Sequence, residues 1–188
     1  MKLASWRGTL RFAATVAVLS FFIGGVFDTS TIFLNQMQWY YGAIIVFFIV
    51  IIGAFFDMLG LAAAAAREAP IHAMASKKVF GARRAVLIVR NAEKVSSIFS
   101  DVIGDIAGVL SGAGALAVAY QLATAISVHG WYEELTKIVL TAFVTAITVF
   151  AKALGKTVAI QSPTPIVLFA GKVLEMTMLL FRKKPHRR

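Results

Sequence analysis

The stretch IIGAFFDMLGLAAAAAREAP, residues 51–70, contains one carboxylate within a long apolar run. Residues 40–56 carry no charge before Asp57, and nine uncharged residues follow it before Arg67. An apolar run of this length predicts a membrane-spanning helix, for which about 20 residues suffice. Because a charged side chain near the bilayer centre costs about 2.5–3.5 kcal/mol, Asp57 must have a partner or a function there.

The composition of the whole chain supports the same class of protein. Of its 188 residues, 59% are hydrophobic and 15% are charged, whereas soluble domains carry about 25% charged residues. This predicts a single compact membrane domain. The absence of cysteine excludes disulfides, thiolate metal sites and cysteine catalysis.

The distribution of apolar residues predicts an all-α membrane protein with four transmembrane helices. They are expected at about residues 10–27, 41–66, 97–126 and 135–154. A fifth apolar stretch, residues 165–181, carries Lys172 and Glu175 one helical turn apart. This charge pair favours a helix that lies at the membrane interface rather than one that spans the membrane.

Lysine and arginine alternate between the predicted loops. Residues 1–11 hold three of them and residues 67–94 hold seven, whereas residues 28–40 hold none. The positive-inside rule therefore predicts a multi-pass protein of the plasma membrane with both termini in the cytoplasm. A role with nucleic acid is not expected from the net charge of +10, because the basic residues flank apolar runs that fit a lipid bilayer.

The third predicted helix carries a polar row. Asp101 and Asp105 are four residues apart, as are Gly104, Gly108 and Gly112. Because such spacings share a helix face, these residues form one predicted stripe. The glycines favour close helix packing, and the two carboxylates on the same stripe favour an ion pathway.

The fourth predicted helix carries a row of hydroxyls that ends in a cation. Its members are Thr141, Thr145, Thr148 and Lys152, at spacings of four, three and four. The threonines either line a hydrated path opposite the carboxylates or bond to carbonyls of their own helix.

From about Val46 to Phe181, the chain resembles the transmembrane domain of the CNNM/CorC (CorB-like) magnesium transporters, the domain of unknown function 21. The segments that carry the resemblance are FFDMLGLAAAA (55–65), KKVFGARRAVLIVRNAEKVSSI (77–98), IGDIAG (103–108) and AKALGKTVAIQSPTPIVLFAGKVLE (151–175). The family's Lys-Thr pair is matched by Lys156 and Thr157. Asp57 falls where the family has a hydroxyl ligand, and Lys152 falls where it has a glutamate.

The resemblance implies a three-helix transporter core that forms a homodimer and moves a divalent cation, Mg²⁺ or Co²⁺. The expected organisation is an extra N-terminal helix and outer loop (1–40), the core with a cytoplasmic hairpin at 67–96 (41–160), and a juxtamembrane helix with a basic tail (161–188). The family's regulatory CBS domains are not expected in this chain.

Two functional hypotheses follow. In the first, Mg²⁺ or another divalent cation is held by Asp57, Asp101, Asp105, Thr145 and Thr148. In the second, Lys152 is the charge partner of Asp101 or Asp57, and the chain is a non-transporting subunit that assembles with a CBS-bearing homologue. No enzyme activity is expected, because His72, His129 and His186 lie in different predicted loops or tails.

Overall fold

The computed structural model of the chain describes residues 6–34, 37–126 and 130–181. The regular secondary structure of these residues is entirely helical, with no strand, which confirms the predicted all-α class. The elements are α1 (Trp6–Leu34), α2 (Trp39–Ala65), α3 (Glu68–Ser76), α4 (Ala82–Arg90), α5 (Ala92–Ser96), a π-helical segment (Ser97–Gly104), α6 (Asp105–Ala125), α7 (Trp131–Gln161) and α8 (Pro163–Phe181).

Five helical segments within the described residues are long and apolar enough to cross a membrane. They are Gly8–Val26, Trp39–Ala65, Ala92–Ala125, Trp131–Gln161 and Pro163–Leu180. The fit to a membrane protein is thus confirmed. The sequence predicted four spans, and the fifth candidate is α8, which was expected at the interface.

The described chain divides into two compact units. The first contains the described residues of Met1–Phe55 and Asp101–Lys152. Here glycines of α2 allow close approach to α6: a Cβ on Gly53 would lie 2.6 Å from Ala107 Cβ, and one on Gly42 would lie 2.8 Å from Val118 Cγ2. Small residues permit such contacts between membrane helices.

The second unit contains the described residues of Phe56–Ser100 and Ala153–Arg188. Its main cluster of buried apolar residues comes from α2, α3, α4, α7 and α8: Ala62, Ala63, Ile71, Ala85, Val86, Ile88, Ala159 and Val167. The predicted hairpin 67–96 comprises α3, α4 and α5. Only Ala66 and Arg67 separate α2 from α3, and only Asn91 separates α4 from α5.

Two glycines bring α8 against the hairpin of the second unit. A Cβ on Gly81 would lie 2.5 Å from the backbone nitrogen of Lys172, and one on Gly171 would lie 2.5 Å from the Gly81 carbonyl oxygen. Nearby, Arg84 Nε donates a hydrogen bond of 2.7 Å to Glu175. Glu175 is thus paired with the hairpin.

Candidate functional site

Asp57 is a buried carboxylate of the second unit, with only 3% of its surface exposed. The hydroxyl of Ser100 donates a hydrogen bond to Asp57 Oδ1. Asp57 Oδ2 is buried and has no hydrogen-bond partner among the described residues. Lys156 Nζ lies 3.6 Å from Asp57 Oδ2, so the lysine offsets the charge without a hydrogen bond. One carboxylate oxygen therefore lacks the hydrogen-bond donor that a buried oxygen normally has.

Local sequence explains why Ser100 reaches Asp57. Gly60 lies one helical turn beyond Asp57, and a Cβ there would be 2.9 Å from the Ser100 backbone nitrogen and 3.1 Å from the Ser96 carbonyl oxygen. The absence of a side chain at Gly60 thus lets the two helices approach. Ser100 itself belongs to the π-helical segment Ser97–Gly104. Such segments are rare in proteins, and those that occur often lie at functional sites.

A second carboxylate–lysine pair belongs to the first unit. Lys152 Nζ lies 3.6 Å from Asp105 Oδ1 and donates a hydrogen bond of 3.0 Å to the Gly104 carbonyl oxygen. A Cβ on Gly108 would lie 3.6 Å from the same Nζ. The ammonium group therefore occupies a notch that Gly104 and Gly108 leave open on the helix.

Lys152 was predicted from the sequence as the partner of Asp57 or Asp101. Asp57 belongs to the other unit and has Lys156 beside it, whereas Asp101 is exposed and forms no ion pair in the part of the chain that the structure describes. The carboxylate beside Lys152 is Asp105. Sequence analysis missed Lys156 and Ser100 as neighbours of Asp57. The spacing of four between Lys152 and Lys156, which puts both on one face of α7, was an available signal.

The threonines of α7 bond to carbonyls of their own helix. Thr141, Thr145 and Thr148 each donate a hydrogen bond of 2.8 Å to a carbonyl four residues earlier. This is the local pattern that membrane threonines commonly adopt. Their hydroxyl protons are thus engaged, while each oxygen keeps an acceptor lone pair.

The predicted glycine stripe does not present one common surface. Gly104 is buried, Gly108 is half-buried beside Lys152, and Gly112 is exposed with no atom within 4 Å of a Cβ placed on it. Asp101 and Asp105 are exposed as well. Of the five predicted stripe positions on or near α6, the exposed ones are thus the two carboxylates and the last glycine.

A third polar cluster lies on the hairpin of the second unit. Arg90 Nε and His72 Nε2 contact the same oxygen of Glu68, at 2.6 Å and 2.7 Å. The hydrogen bond from Arg90, and secondly that from His72, lowers the pKa of Glu68 below its ordinary value of 4.5. The cluster ties the start of α3 to the end of α4. The other two histidines, His129 and His186, lie outside the described residues.

The chemistry available at Asp57 is that of a hard-oxygen site. The carboxylate and the Ser100 hydroxyl supply oxygen, the ligand type that Mg²⁺ and Ca²⁺ prefer, and Mg²⁺ usually keeps several waters and takes only one or two carboxylates. No group of three or more His, Cys, Asp or Glu side chains is placed to hold a metal ion within residues 6–34, 37–126 and 130–181. A cation at Asp57 would therefore be held by one carboxylate, a hydroxyl and water.

Fold and site together define an all-α protein whose long apolar helices fit a membrane protein and whose buried carboxylate is paired with a lysine. Comparisons with protein-family models, with curated proteins and with solved structures found no match.

Proposed function

We propose that this chain is an integral membrane transporter of a divalent cation, with Asp57 as its central ligand and Mg²⁺ as the first candidate ion. The observation that carries the proposal is the buried Oδ2 atom of Asp57, which has no hydrogen-bond donor among the described residues. A buried carboxylate oxygen without a donor is costly, and a bound cation would relieve that cost. The resemblance to the CNNM/CorC transporters, in which this position holds an ion ligand, points to the same ion.

Lys156 gives the proposed site a way to exist without its ion. Its ammonium group lies 3.6 Å from Asp57 Oδ2, and 53% of its side chain is exposed. A half-exposed lysine can move its ammonium group into water, but the buried Asp57 carboxylate would then need another counter-charge. An arriving cation would therefore displace the ammonium group from Asp57 and take its place as the counter-charge.

The second candidate is a non-transporting subunit with the same fold. The observation that favours it is the position of Lys152, which fills the notch at Gly104 and Gly108 and neutralises Asp105. If both lysines stay in place, the carboxylates serve only to stabilise the fold. In that case the chain would assemble with a CBS-bearing homologue that transports the ion.

Ion binding distinguishes the two candidates. The purified chain in detergent is heated with and without millimolar Mg²⁺, alongside Asp57→Asn and the control Glu93→Gln, which removes an exposed carboxylate from α5. The transporter hypothesis predicts that Mg²⁺ raises the melting temperature of wild type and Glu93→Gln but not of Asp57→Asn. Wild type and Glu93→Gln should likewise carry Mg²⁺ into proteoliposomes, and Asp57→Asn should not. No Mg²⁺ effect on any of the three proteins, together with no flux, would favour the non-transporting subunit.

The proposed topology has four spans, with both termini on the cytoplasmic side of the plasma membrane and α8 at the interface. The contacts of α8 support this choice. Its middle residues Gly171 and Lys172 touch Gly81, and Glu175 pairs with Arg84. A spanning α8 would bring Arg84, Lys172 and Glu175 towards the bilayer centre, at about 2.5–3.5 kcal/mol for each charge.

A homodimer is also proposed, with α6 at its centre. Asp101, Asp105 and Gly112 are exposed, as are Leu116 and Tyr120 further along the same helix. Asp105 lies eleven residues beyond Lys94, or roughly 16 Å along a helix, so lipid contact there would be unfavourable. A second copy that covers this face would remove the carboxylates from lipid, and Gly112 would permit close approach of its backbone.

A further inference from the structure

The turn between α3 and α4 concentrates cations around an exposed apolar pair. Lys77 and Lys78 precede Val79 and Phe80, and Arg83 follows in the first turn of α4. All five of these residues are exposed. The aromatic residue among them, Phe80, is 48% exposed. Two residues of the turn have a left-handed backbone, Lys78 with φ +56° and Gly81 with φ +80°.

A fourth cation comes from α8. The Gly81–Gly171 crossing puts the backbone of Lys172 within van der Waals distance of the turn, and the Lys172 side chain is exposed. Arg84, which is close by, is already paired with Glu175. By contrast, Lys77, Lys78, Arg83 and Lys172 form no ion pair with any residue that the structure describes. The surface thus carries four uncompensated positive charges around one exposed aromatic ring.

The hairpin is held close to the ends of the apolar helices. Two residues join α3 to α2 and one joins α4 to α5, and both α2 and α5 belong to helical segments that are apolar enough to span. The exposed apolar residues of α8, among them Phe169 and Leu174, belong to the same unit as the turn. A basic, apolar surface in such a position fits the headgroup layer of a bilayer, where cations attract anionic lipids and apolar side chains insert.

We infer that the Lys77–Phe80 turn, Arg83 and Lys172 form a binding site for an anionic phospholipid, whose phosphate is held by the cations and whose acyl chains meet Val79 and Phe80. The occupant is a bilayer lipid rather than a soluble phosphate, because the apolar pair lies among the cations. This inference is independent of the proposed ion transport, since none of its residues belongs to the Asp57 site.

Native mass spectrometry of the full chain in non-ionic detergent can test the site. The protein is titrated with dioleoyl phosphatidylglycerol, and with dioleoyl phosphatidylcholine as the neutral comparison. The double variant Lys78→Gln/Lys172→Gln should bind phosphatidylglycerol roughly thirtyfold more weakly, because each lysine at an anionic surface contributes about 1 kcal/mol, a factor of about five. Its binding of phosphatidylcholine should stay within about twofold.

The matched control is Arg11→Gln/Lys94→Gln, which removes the same charge from two other exposed positions. It should bind phosphatidylglycerol within about threefold of wild type. Equal weakening in both double variants would overturn the site and leave only a general effect of net charge. Displacement of the lipid by soluble glycerol phosphate at equal concentration would overturn the choice of a bilayer lipid. Far-ultraviolet circular dichroism verifies that both double variants keep their helices.

Discussion

Lys156 Nζ lies 3.6 Å from Asp57 Oδ2, and the two side chains differ sharply in exposure: that of Lys156 is 53% exposed, whereas that of Asp57 is 4% exposed. Removing either partner strands the other, but the stranded groups are in different surroundings. A stranded Lys156 can reach solvent. A stranded Asp57 remains buried, and among the described residues its one hydrogen-bond donor is the Ser100 hydroxyl. The pair is therefore expected to respond asymmetrically to mutation.

The first prediction follows from that asymmetry. Lys156→Met should lower the free energy of unfolding by about 3 kcal/mol, because it leaves a buried charge without its counter-charge. Asp57→Asn should cost less than about 1 kcal/mol, since it strands a half-exposed cation and Asn retains an acceptor for Ser100. The double variant should recover most of the loss. Unfolding by sodium dodecyl sulfate in mixed micelles measures the free energy of unfolding of all three variants.

The control for this cycle is Lys94→Met, which removes an exposed lysine without an ion pair in the described residues and should change stability by under about 0.5 kcal/mol. If Asp57→Asn instead costs as much as Lys156→Met, the carboxylate contributes through something other than this lysine.

The second prediction concerns the proposed dimer. Gly112→Leu should convert a dimer to a monomer in detergent, because leucine would obstruct the exposed face of α6 that a second copy is proposed to cover. The same change should leave the chain folded, since no atom lies within 4 Å of a Cβ at Gly112. Light scattering during size-exclusion chromatography gives the mass.

Gly25→Leu is the matched control, because Gly25 is also helical, exposed and without neighbours within 4 Å. A Gly112→Leu variant with the mass of wild type would leave α6 outside any dimer interface.

The sequence predicts those features that depend on length and composition, but not those that depend on contacts between distant residues. The apolar helices follow from length and composition, so α2 was predicted at residues 41–66 and is found at Trp39–Ala65. Burial of Asp57 follows from its apolar run. Its neighbours do not, because Ser100 and Lys156 come from distant parts of the chain and are brought together by the packing of helices in three dimensions.

The stripe on the third predicted helix shows a second reason why the sequence alone does not predict the site. Its i, i+4 reading assumed an α-helix, but residues Ser97–Gly104 form a π-helical segment. An i→i+5 hydrogen-bond pattern changes the rotation from one residue to the next, so rows that coincide on an α-helix separate. In this region Gly104 is buried while Asp101 and Asp105 are exposed. No sequence motif marks where such a segment begins.

The third prediction distinguishes a spanning α8 from an interfacial one. The chain has no cysteine, so single cysteines can be labelled cleanly. Ser162→Cys and Thr177→Cys, near the two ends of α8, should react with an impermeant maleimide from the same side as Ser76→Cys. Tyr132→Cys, at the start of α7, should react from the opposite side. Labelling of Thr177→Cys from the side of Tyr132→Cys would instead make α8 a fifth span.

The fourth prediction concerns pH and the hairpin. Because Arg90 and His72 lower the pKa of Glu68, its charged form is favoured in the folded chain. The stabilisation is present above the ordinary value of 4.5 and is lost as the pH falls through the lower pKa of the folded state. Glu68→Gln should therefore reduce the loss of thermal stability between about pH 5 and pH 3. Glu93→Gln, which removes an exposed carboxylate, should keep the slope of wild type. Superimposable profiles for wild type and Glu68→Gln would show that the cluster does not stabilise the fold.

The last prediction tests the glycine crossing that joins α8 to the hairpin. Gly81→Ala meets two obstacles: φ is +80°, and its Cβ would lie 2.5 Å from Lys172 N. Gly171→Ala meets only the close backbone contact, since its Cβ would lie 2.5 Å from the Gly81 carbonyl oxygen. Gly130→Ala meets only the left-handed backbone, since φ is +72° and no atom lies within 4 Å of its Cβ.

The three variants should therefore form a graded series in thermal stability. Gly130→Ala should cost about 1–2 kcal/mol, the penalty of a left-handed backbone for a residue with a Cβ. Gly171→Ala should cost about 1–3 kcal/mol, because the helices must separate to admit a methyl group. Gly81→Ala, which combines both effects, should cost the most and should also increase proteolysis of the hairpin, because α4 would lose its close contact with α8. If Gly81→Ala costs no more than Gly130→Ala, the backbone contact with Lys172 contributes nothing, and α8 packs on the hairpin through its side chains alone.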